Sequence, residues 1–202
     1  MKNVKQWFYA VLCCSAFAAS AGVKVDTAAP NFTLQNSHGE TVKLADYKGK
    51  YVVLERTNHL CPFVKKHYDS DNMQALQRNY TDKDVVWLSI ISSAKGKQGY
   101  VDGTQANALS TERNATPSHV LFDESGEIGK LYGAKTTPHM YIIDPSGTLR
   151  YGGAIDSIRS ADPADIPKAT NYVSEGMNSL LAGQSVTNKL TPPYGCSIKY
   201  KS

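Results

Sequence analysis

Cysteine is scarce in this sequence of 202 residues, which contains four, and no two of them form a C-x-x-C pair. Long apolar runs are missing too, because the apolar stretch at 7–19 is shorter than the roughly 20 residues that a transmembrane helix needs. Neither sign of charge dominates, since 22 Lys and Arg face 18 Asp and Glu. These absences argue against a disulfide scaffold, a membrane-spanning helix and an electrostatic nucleic-acid binder.

The first 21 residues have the composition of a secretory signal peptide. Lys2 and Lys5 precede the apolar stretch, which ends in the small-residue triplet at 19–21. A positive start, a short apolar middle and an A-x-A-like end are typical of such a leader. We therefore predict a signal peptide at 1–21, cleavage after Ala21 and an exported protein, located in the periplasm.

Removal of this leader changes the charge and the cysteine count. The formal net charge falls from +4 to +2, and Cys13 and Cys14 are lost, so that Cys61 and Cys196 remain. A nearly neutral chain predicts neither a nucleic-acid partner nor membrane contact after cleavage. The remaining 181 residues suit one domain, which we place at 22–183, followed by a C-terminal tail at 184–202 that carries Cys196.

Alternating apolar and amphipathic segments predict an α/β fold. Short or continuous apolar runs predict an N-terminal hairpin at 31–44 and strands at 51–54, 85–92, 120–122, 141–143 and 149–152. Apolar residues at helical spacing predict helices at 62–80, 105–113, 128–132 and 168–182. The order of these segments predicts a sheet with a parallel centre and an antiparallel edge, between layers of helices.

Cys61 is the first candidate for chemistry, because it lies between a predicted strand and a predicted helix. Pro62 follows it at the first helical position, where a missing N–H is harmless. A sulfur at a helix N-terminus is near unpaired N–H groups that favour the reactive thiolate. We predict that Cys61 is a nucleophile, with His59 as a residue that tunes the thiolate and Asn58 as a hydrogen-bonding residue near the reacting centre. A buried, inert cysteine is the alternative.

Two distant motifs give the sequence a specific resemblance. One is N-H-L-C-P-F at 58–63, the other is G-C-S-I-K-Y at 195–200, and Thr137-Pro138 precedes a predicted strand between them. With the order of segments, these motifs resemble the thioredoxin fold and, over about residues 28–200, its redoxin branch, the alkyl hydroperoxide reductase/thiol-specific antioxidant superfamily. The similarity is to the peroxiredoxin-like "thioredoxin family protein" group. It implies a three-layer sandwich, antioxidant thiol chemistry and a cis-proline at Pro138, with Thr137 beside it, facing the active cysteine.

The sequence departs from both mechanisms known in that superfamily. A thioredoxin dithiol site would need a second cysteine where Val64 stands. The peroxiredoxin pattern P-x-x-x-[TS]-x-x-C would need proline at Leu54 and threonine or serine at Asn58. Cys196, 135 positions after Cys61, is then the internal candidate for a resolving cysteine.

The predicted cycle starts when Cys61 attacks a peroxide or a disulfide. Cys196 closes an internal disulfide, and an external thiol reductant reopens it. No cofactor and no metal are required. Two alternatives remain at this stage: a copper carrier or sensor that uses Cys61 with His59 and His67 or His139, and a redox-inactive domain with a structural Cys61–Cys196 disulfide.

The remaining polar stretches predict surface. Lys65 and Lys66 are interpreted as a solvated face, and 156–165 as a polar loop. The tail contains Pro192-Pro193 and Gly195 near its cysteine, which predicts a segment able to move. A resolving cysteine needs such freedom as well as proximity.

Overall fold

A computed structural model describes residues 22–201, and the predicted signal peptide at 1–21 lies outside them. A seven-stranded sheet forms its centre, in the order β2-β1-β5-β4-β3-β7-β8. The strands are β1 Thr33–Asn36, β2 Thr41–Lys43, β3 Val52–Thr57, β4 Val86–Ile91, β5 His119–Phe122, β7 His139–Ile143 and β8 Leu149–Gly153. A separate two-stranded sheet pairs β6 Thr136–Thr137 with β9 Cys196–Ser197.

Five α-helices and two 3-10 helices connect these strands within the described residues. The α-helices are α1 Pro62–Asp69, α2 Asn72–Thr81, α3 Gly103–Glu112, α4 Glu127–Leu131 and α5 Tyr172–Leu181, and the 3-10 helices are Leu44–Tyr47 and Pro163–Lys168. None of the helices in this part of the chain is long and apolar enough to cross a membrane.

The sheet is mixed, as the sequence predicts. Its three middle strands, β3, β4 and β5, are parallel, whereas β7 and β8 continue it antiparallel on one side and β1 and β2 on the other. Parallel strands with helices on both faces read as continuous apolar runs because neither face is solvated. The antiparallel neighbours come from the two hairpins predicted around 31–44 and 141–152.

Alternate residues of the central strands enter two different cores. Val53 of β3 packs in one core, while its neighbours Val52 and Leu54 pack in the other. Trp87 of β4 lies in the first core, fully buried, as predicted. Side chains of α1, α2 and α5 complete that first core, namely Val64, Met73, Leu76, Val173 and Met177. The predicted three-layer, thioredoxin-like sandwich is confirmed.

One predicted helix is divided into two. The apolar spacing at 62–80 predicts a single helix, but α1 ends at Asp69 and α2 begins at Asn72. Asp71 adopts a left-handed conformation with φ 60°, and the Ser70 hydroxyl donates to the Lys66 carbonyl at 2.7 Å. Serine, aspartate and asparagine side chains compete with helical hydrogen bonds in this way. The structure therefore has two helices where the apolar spacing predicts one.

Candidate active site

Cys61 is the N-cap residue of α1 and is completely buried. Its carbonyl accepts from the N–H groups of Val64 and Lys65 at 3.0 and 2.9 Å, which starts the helix. Pro62 occupies the first helical position, as predicted. The Cys61 thiol donates to the carbonyl oxygen of Thr137, with 3.1 Å between sulfur and oxygen. The strand-to-helix junction therefore points this sulfur at the β6 segment.

Thr137 connects the two cysteines. Its peptide bond to Pro138 is cis, as the family resemblance implies. In the β6–β9 sheet, Thr137 lies directly opposite Cys196. The Thr137 side-chain hydroxyl is buried and has no hydrogen-bond partner among the described residues. Thus Cys61 and Cys196, which are 135 positions apart in the chain, both lie next to Thr137.

The Cys196 thiol lies against that of Cys61, and the two are not joined by a disulfide. Burial raises the pKa of the Cys196 thiol to about 11, and a hydrogen bond and charge interaction with Cys61 act in the same direction. The Lys199 ammonium and the Phe63 backbone N–H, which donates to this sulfur, oppose that rise in pKa. Cys196 is partly exposed to solvent, unlike Cys61.

Asn58 shapes the loop before Cys61. Its side-chain oxygen accepts from the Leu60 N–H at 2.9 Å, and its backbone carbonyl accepts from the Cys61 N–H at 3.0 Å. Its amide nitrogen donates to two oxygens of Gln98, each at 3.4 Å. Gly99 packs directly on this side chain, since a Cβ there would stand 2.3 Å from its oxygen. These contacts turn the Asn58 side chain toward the loop rather than toward the sulfur atoms.

His59 faces a small cavity beside the site. The cavity has a volume of about 40 Å³ and is lined by His59, Tyr68 and Arg113, among others. Burial lowers the pKa of His59, and the charges of Arg113 and Lys65 lower it further, so the imidazole is neutral at pH 7. Arg113 also donates to the His59 carbonyl at 3.1 Å. Any effect of this residue on the thiolate would therefore come from a neutral ring.

A buried polar cluster, here called the Asp156 cluster, lies on one side of Cys196. Tyr194 donates to one carboxylate oxygen of Asp156 at 2.5 Å, and the Lys66 ammonium contacts the other at 3.3 Å. His67 lies 3.8 Å from that second oxygen. Tyr194 also packs edge-on against Phe63, with 5.8 Å between the ring centroids. The cluster thereby attaches the tail, two residues before Cys196, to helix α1.

One sequence prediction is wrong at this cluster. Lys66, interpreted as part of a solvated face, is only 2% exposed. Asp156, at the start of the predicted polar loop, is also buried, with 3% exposed. Both polar groups are tolerated because each is paired, and a buried charge without a partner would be strongly destabilising. Local composition gives no sign of pairing between segments 90 positions apart.

A second cluster, the Arg56 cluster, anchors the tail beyond Cys196. Arg56 of β3 forms a buried ion pair with Asp123 at 2.6 Å and also donates to Ser92. The Tyr200 ring lies on Gly126 and Gly129, and its hydroxyl donates to the Ala134 carbonyl at 2.8 Å. A hydrogen bond with Arg56 acts to lower the pKa of Tyr200, although burial raises it overall.

The tail is therefore fixed on both sides of Cys196. Besides the two clusters, the Lys199 carbonyl accepts from Ala94 at 2.9 Å, and Ile198 donates to Lys135 at 3.2 Å. The prolines and the glycine of the tail predict a segment able to move. The anchoring by Tyr194 and Tyr200 is not part of that prediction. Strand β9 was not predicted at all. The G-C-S-I-K-Y motif could have indicated this attachment of the tail, because it ends in Tyr200, which packs on Gly126 and Gly129.

The proposed copper ligands do not come together. Among residues 22–201, no three His, Cys, Asp or Glu side chains are grouped in a way that could hold a metal ion. His67 bonds to Asn72 at 2.8 Å, and His139 stacks on Tyr141 with 4.5 Å between ring centroids. These contacts occupy the two histidines on separate sides of the fold.

The mixed sheet, the helix that begins after Cys61 and the cis-proline opposite that cysteine define a thioredoxin-like redoxin protein. Residues 25–152 match the model of the AhpC/TSA family, and the chain belongs to that family. The match ends before the tail, so it does not include Cys196.

Three relatives illustrate the range of this similarity. The chain is 27% identical over 133 residues to the thiol-disulfide oxidoreductase ResA of Bacillus cereus, covering 66% of this chain and 71% of that protein. It is 56% identical over 86 residues to the peroxiredoxin Bcp of Bacillus subtilis, covering 38% of this chain and 48% of that protein. An uncharacterized conserved protein from Geobacillus kaustophilus superposes with a TM-score of 0.77 at 29% identity, covering 88% and 93% of the two chains. Together they support an oxidoreductase on a thioredoxin fold.

Proposed function

We propose that this protein is an exported thiol-disulfide oxidoreductase whose redox couple is Cys61–Cys196. The observation that carries the proposal is the contact of the two thiols across Thr137, beside a cis-proline. It gives a dithiol site built from two distant segments in place of the adjacent cysteines of a C-x-x-C motif. The likeness to a thiol-disulfide oxidoreductase supports it.

The reaction exchanges one disulfide for another. In the oxidising half, a substrate disulfide is reduced to two thiols while Cys61 and Cys196 lose two protons and two electrons and form one S–S bond. An external thiol reductant then supplies two electrons and two protons and returns both cysteines to thiols. Because β9 already holds Cys196 against Cys61, the tail need not travel for the bond to form.

Peroxide is the second candidate substrate, favoured by the family and by the likeness to a peroxiredoxin. Cys61 would attack the peroxide to give a sulfenic acid and release an alcohol or water, and Cys196 would displace water to form the disulfide. One observation favours a disulfide substrate instead. Leu54 and Asn58 stand where a peroxiredoxin carries proline and threonine or serine.

Export is proposed from the N-terminal sequence, since residues 1–21 are outside the described structure. An oxidising compartment would allow the Cys61–Cys196 disulfide to form and persist. N-terminal sequencing of the protein recovered from the periplasm is expected to begin at Gly22. Recovery of the full chain from the cytoplasm only would contradict export without affecting the chemistry.

The function is tested by turnover of a protein disulfide. Insulin serves as the substrate and dithiothreitol as the reductant, and the increase in turbidity measures the rate. The wild type is expected to accelerate insulin reduction, whereas Cys61→Ser and Cys196→Ser each reduce it to the rate of dithiothreitol alone. Wild-type activity in either variant would overturn the proposed couple.

Peptide mapping of the oxidised wild type provides the second measurement. Mild oxidation with glutathione disulfide should join the tryptic peptide 57–65 to the tryptic peptide 190–199. Peroxide consumption, measured on the same preparation with the same reductant, decides between the two substrates. Consumption faster than insulin reduction would favour peroxide.

A further inference from the structure

The two sulfur atoms of the proposed couple differ in their access to solvent. Cys61 is 0% exposed and belongs to the apolar core that also contains Val64 and Tyr194. Cys196 is only partly buried and lies in β9, one strand of a two-stranded sheet. A thiol that approaches from solvent therefore meets Cys196 first. This order is the reverse of the roles that the sequence predicts, in which Cys61 meets the substrate.

The hydrogen bonds of the two sulfur atoms also differ. In the first turn of α1, Pro62 has no N–H, and the Val64 and Lys65 N–H groups are bonded to the Cys61 carbonyl. The Phe63 N–H is the remaining donor of that turn, and it points to the sulfur of Cys196. Cys61, by contrast, donates its own proton to the Thr137 carbonyl. The Phe63 N–H at the helix N-terminus therefore acts to lower the pKa of Cys196, although the larger effect of burial raises it.

We propose that Cys196 is the sulfur at which external thiols and disulfides exchange, and that Cys61 is the buried partner that completes each exchange. This inference rests on the proposed function. In the reductive direction, an external thiolate attacks Cys196 Sγ, the Cys61–Cys196 bond breaks, and Cys61 leaves as a thiolate. Cys61 takes up a proton, and its thiol then donates a hydrogen bond to the Thr137 carbonyl, as in the structure. A second external thiol attacks the mixed disulfide and releases Cys196, which also takes up a proton.

The test maps the mixed disulfide that glutathione forms with oxidised wild-type protein. The protein is mixed with reduced glutathione for a short time, quenched with acid and N-ethylmaleimide, and digested with trypsin. We expect the glutathione adduct on peptide 190–199 and the maleimide adduct on peptide 57–65. An adduct mainly on peptide 57–65, or equally on both, would overturn the assignment.

A second measurement covers the case in which the adduct does not accumulate. The variants Cys61→Ser and Cys196→Ser are each reacted with 4,4′-dithiodipyridine, and each rate is divided by the rate of the same variant unfolded in guanidinium. The ratio for Cys61→Ser, which reports Cys196, should exceed the ratio for Cys196→Ser by at least about tenfold. Equal ratios, or the reverse order, would overturn the assignment.

These outcomes are distinct from a failure of the proposed function. If mild oxidation produces no disulfide between peptides 57–65 and 190–199, the couple itself is wrong. If that disulfide forms and insulin is reduced, but glutathione attaches to Cys61, the function stands and only the order of attack is wrong.

Discussion

The backbone of Gly195 packs directly on the carbonyl group of Thr137. A Cβ added at Gly195 would stand 2.0 Å from that carbonyl oxygen, far inside contact distance. Gly195 also has φ +136°, a conformation that favours glycine. The same oxygen accepts the thiol proton of Cys61. One glycine therefore allows the tail to approach the carbonyl group that connects both cysteines.

Substitution of Gly195 by alanine should push β9 away from Thr137 and separate the two sulfur atoms. We expect Gly195→Ala to lower the equilibrium constant for Cys61–Cys196 disulfide formation by about tenfold or more in a glutathione redox titration. Gly183→Ala is the matched control, because Gly183 also has a positive φ, +72°, but a Cβ there meets nothing within 4 Å. Equal constants for the two variants would show that backbone strain alone, rather than the contact with Thr137, explains the effect.

The parts of the site that follow from local sequence were predicted. Cys61 at a strand-to-helix junction, Pro62 at the first helical position and the buried strands around them depend on neighbouring residues. Apolar runs and the conformational preference of proline are local signals, and they locate such elements well. The cis form of Pro138 came from the family resemblance and not from spacing.

The attachment of the tail could not be predicted in the same way. Tyr194 and Tyr200 look like ordinary polar-tail residues, and their partners Asp156 and Arg56 lie far away in the chain. The burial of Lys66 depends on the same long-range pairing. Such contacts form only once the sheet is assembled. Composition therefore does not predict which charged residues, distant in the chain, will pair.

The Asp156 cluster gives a stability prediction. Lys66→Met keeps the length of the side chain but leaves the buried Asp156 carboxylate without its ammonium partner. Breaking a buried pair in this way costs about 3–5 kcal/mol of unfolding free energy. Urea denaturation at pH 7 measures it. Lys65→Met is the control, because Lys65 is exposed and adjacent, and it should change stability by less than about 0.5 kcal/mol. Equal effects would mean that the pair is unimportant.

The Arg56 cluster gives a prediction about the end of the tail. A Cβ on Gly129 would stand 2.3 Å from the Tyr200 hydroxyl and 2.5 Å from an Arg56 nitrogen. Gly129→Ala should therefore displace Tyr200 and accelerate tryptic cleavage after Lys199 and Lys189. Glu127→Ala, an exposed change in the same helix, should leave the cleavage rate at that of the wild type. A tail equally resistant in both variants would contradict the role given to Tyr200.

Two buried histidines predict a loss of stability in mild acid. Burial lowers the pKa of His67 to about 4 and that of His139 to about 3, from an ordinary 6.5. Both rings stay neutral in the folded protein, so on acidification the unfolded chain takes up protons first. Stability is therefore complete above pH 6.5 and falls as the pH decreases toward 4.

The size of that loss can be measured for each histidine. The unfolding free energy should decrease by about 2 kcal/mol per histidine between pH 7 and pH 5. Urea titrations measure this effect in the variants His67→Gln and His139→Gln. Each substitution should abolish about half of the decrease in unfolding free energy that the two histidines cause together. Between pH 7.5 and 8.5 the rings are neutral in both the folded and the unfolded state. In that range the unfolding free energy of the variants should change with pH in the same way as that of the wild type. If the slope from pH 7 to pH 5 is unchanged in both variants, these histidines are not the groups that take up the protons.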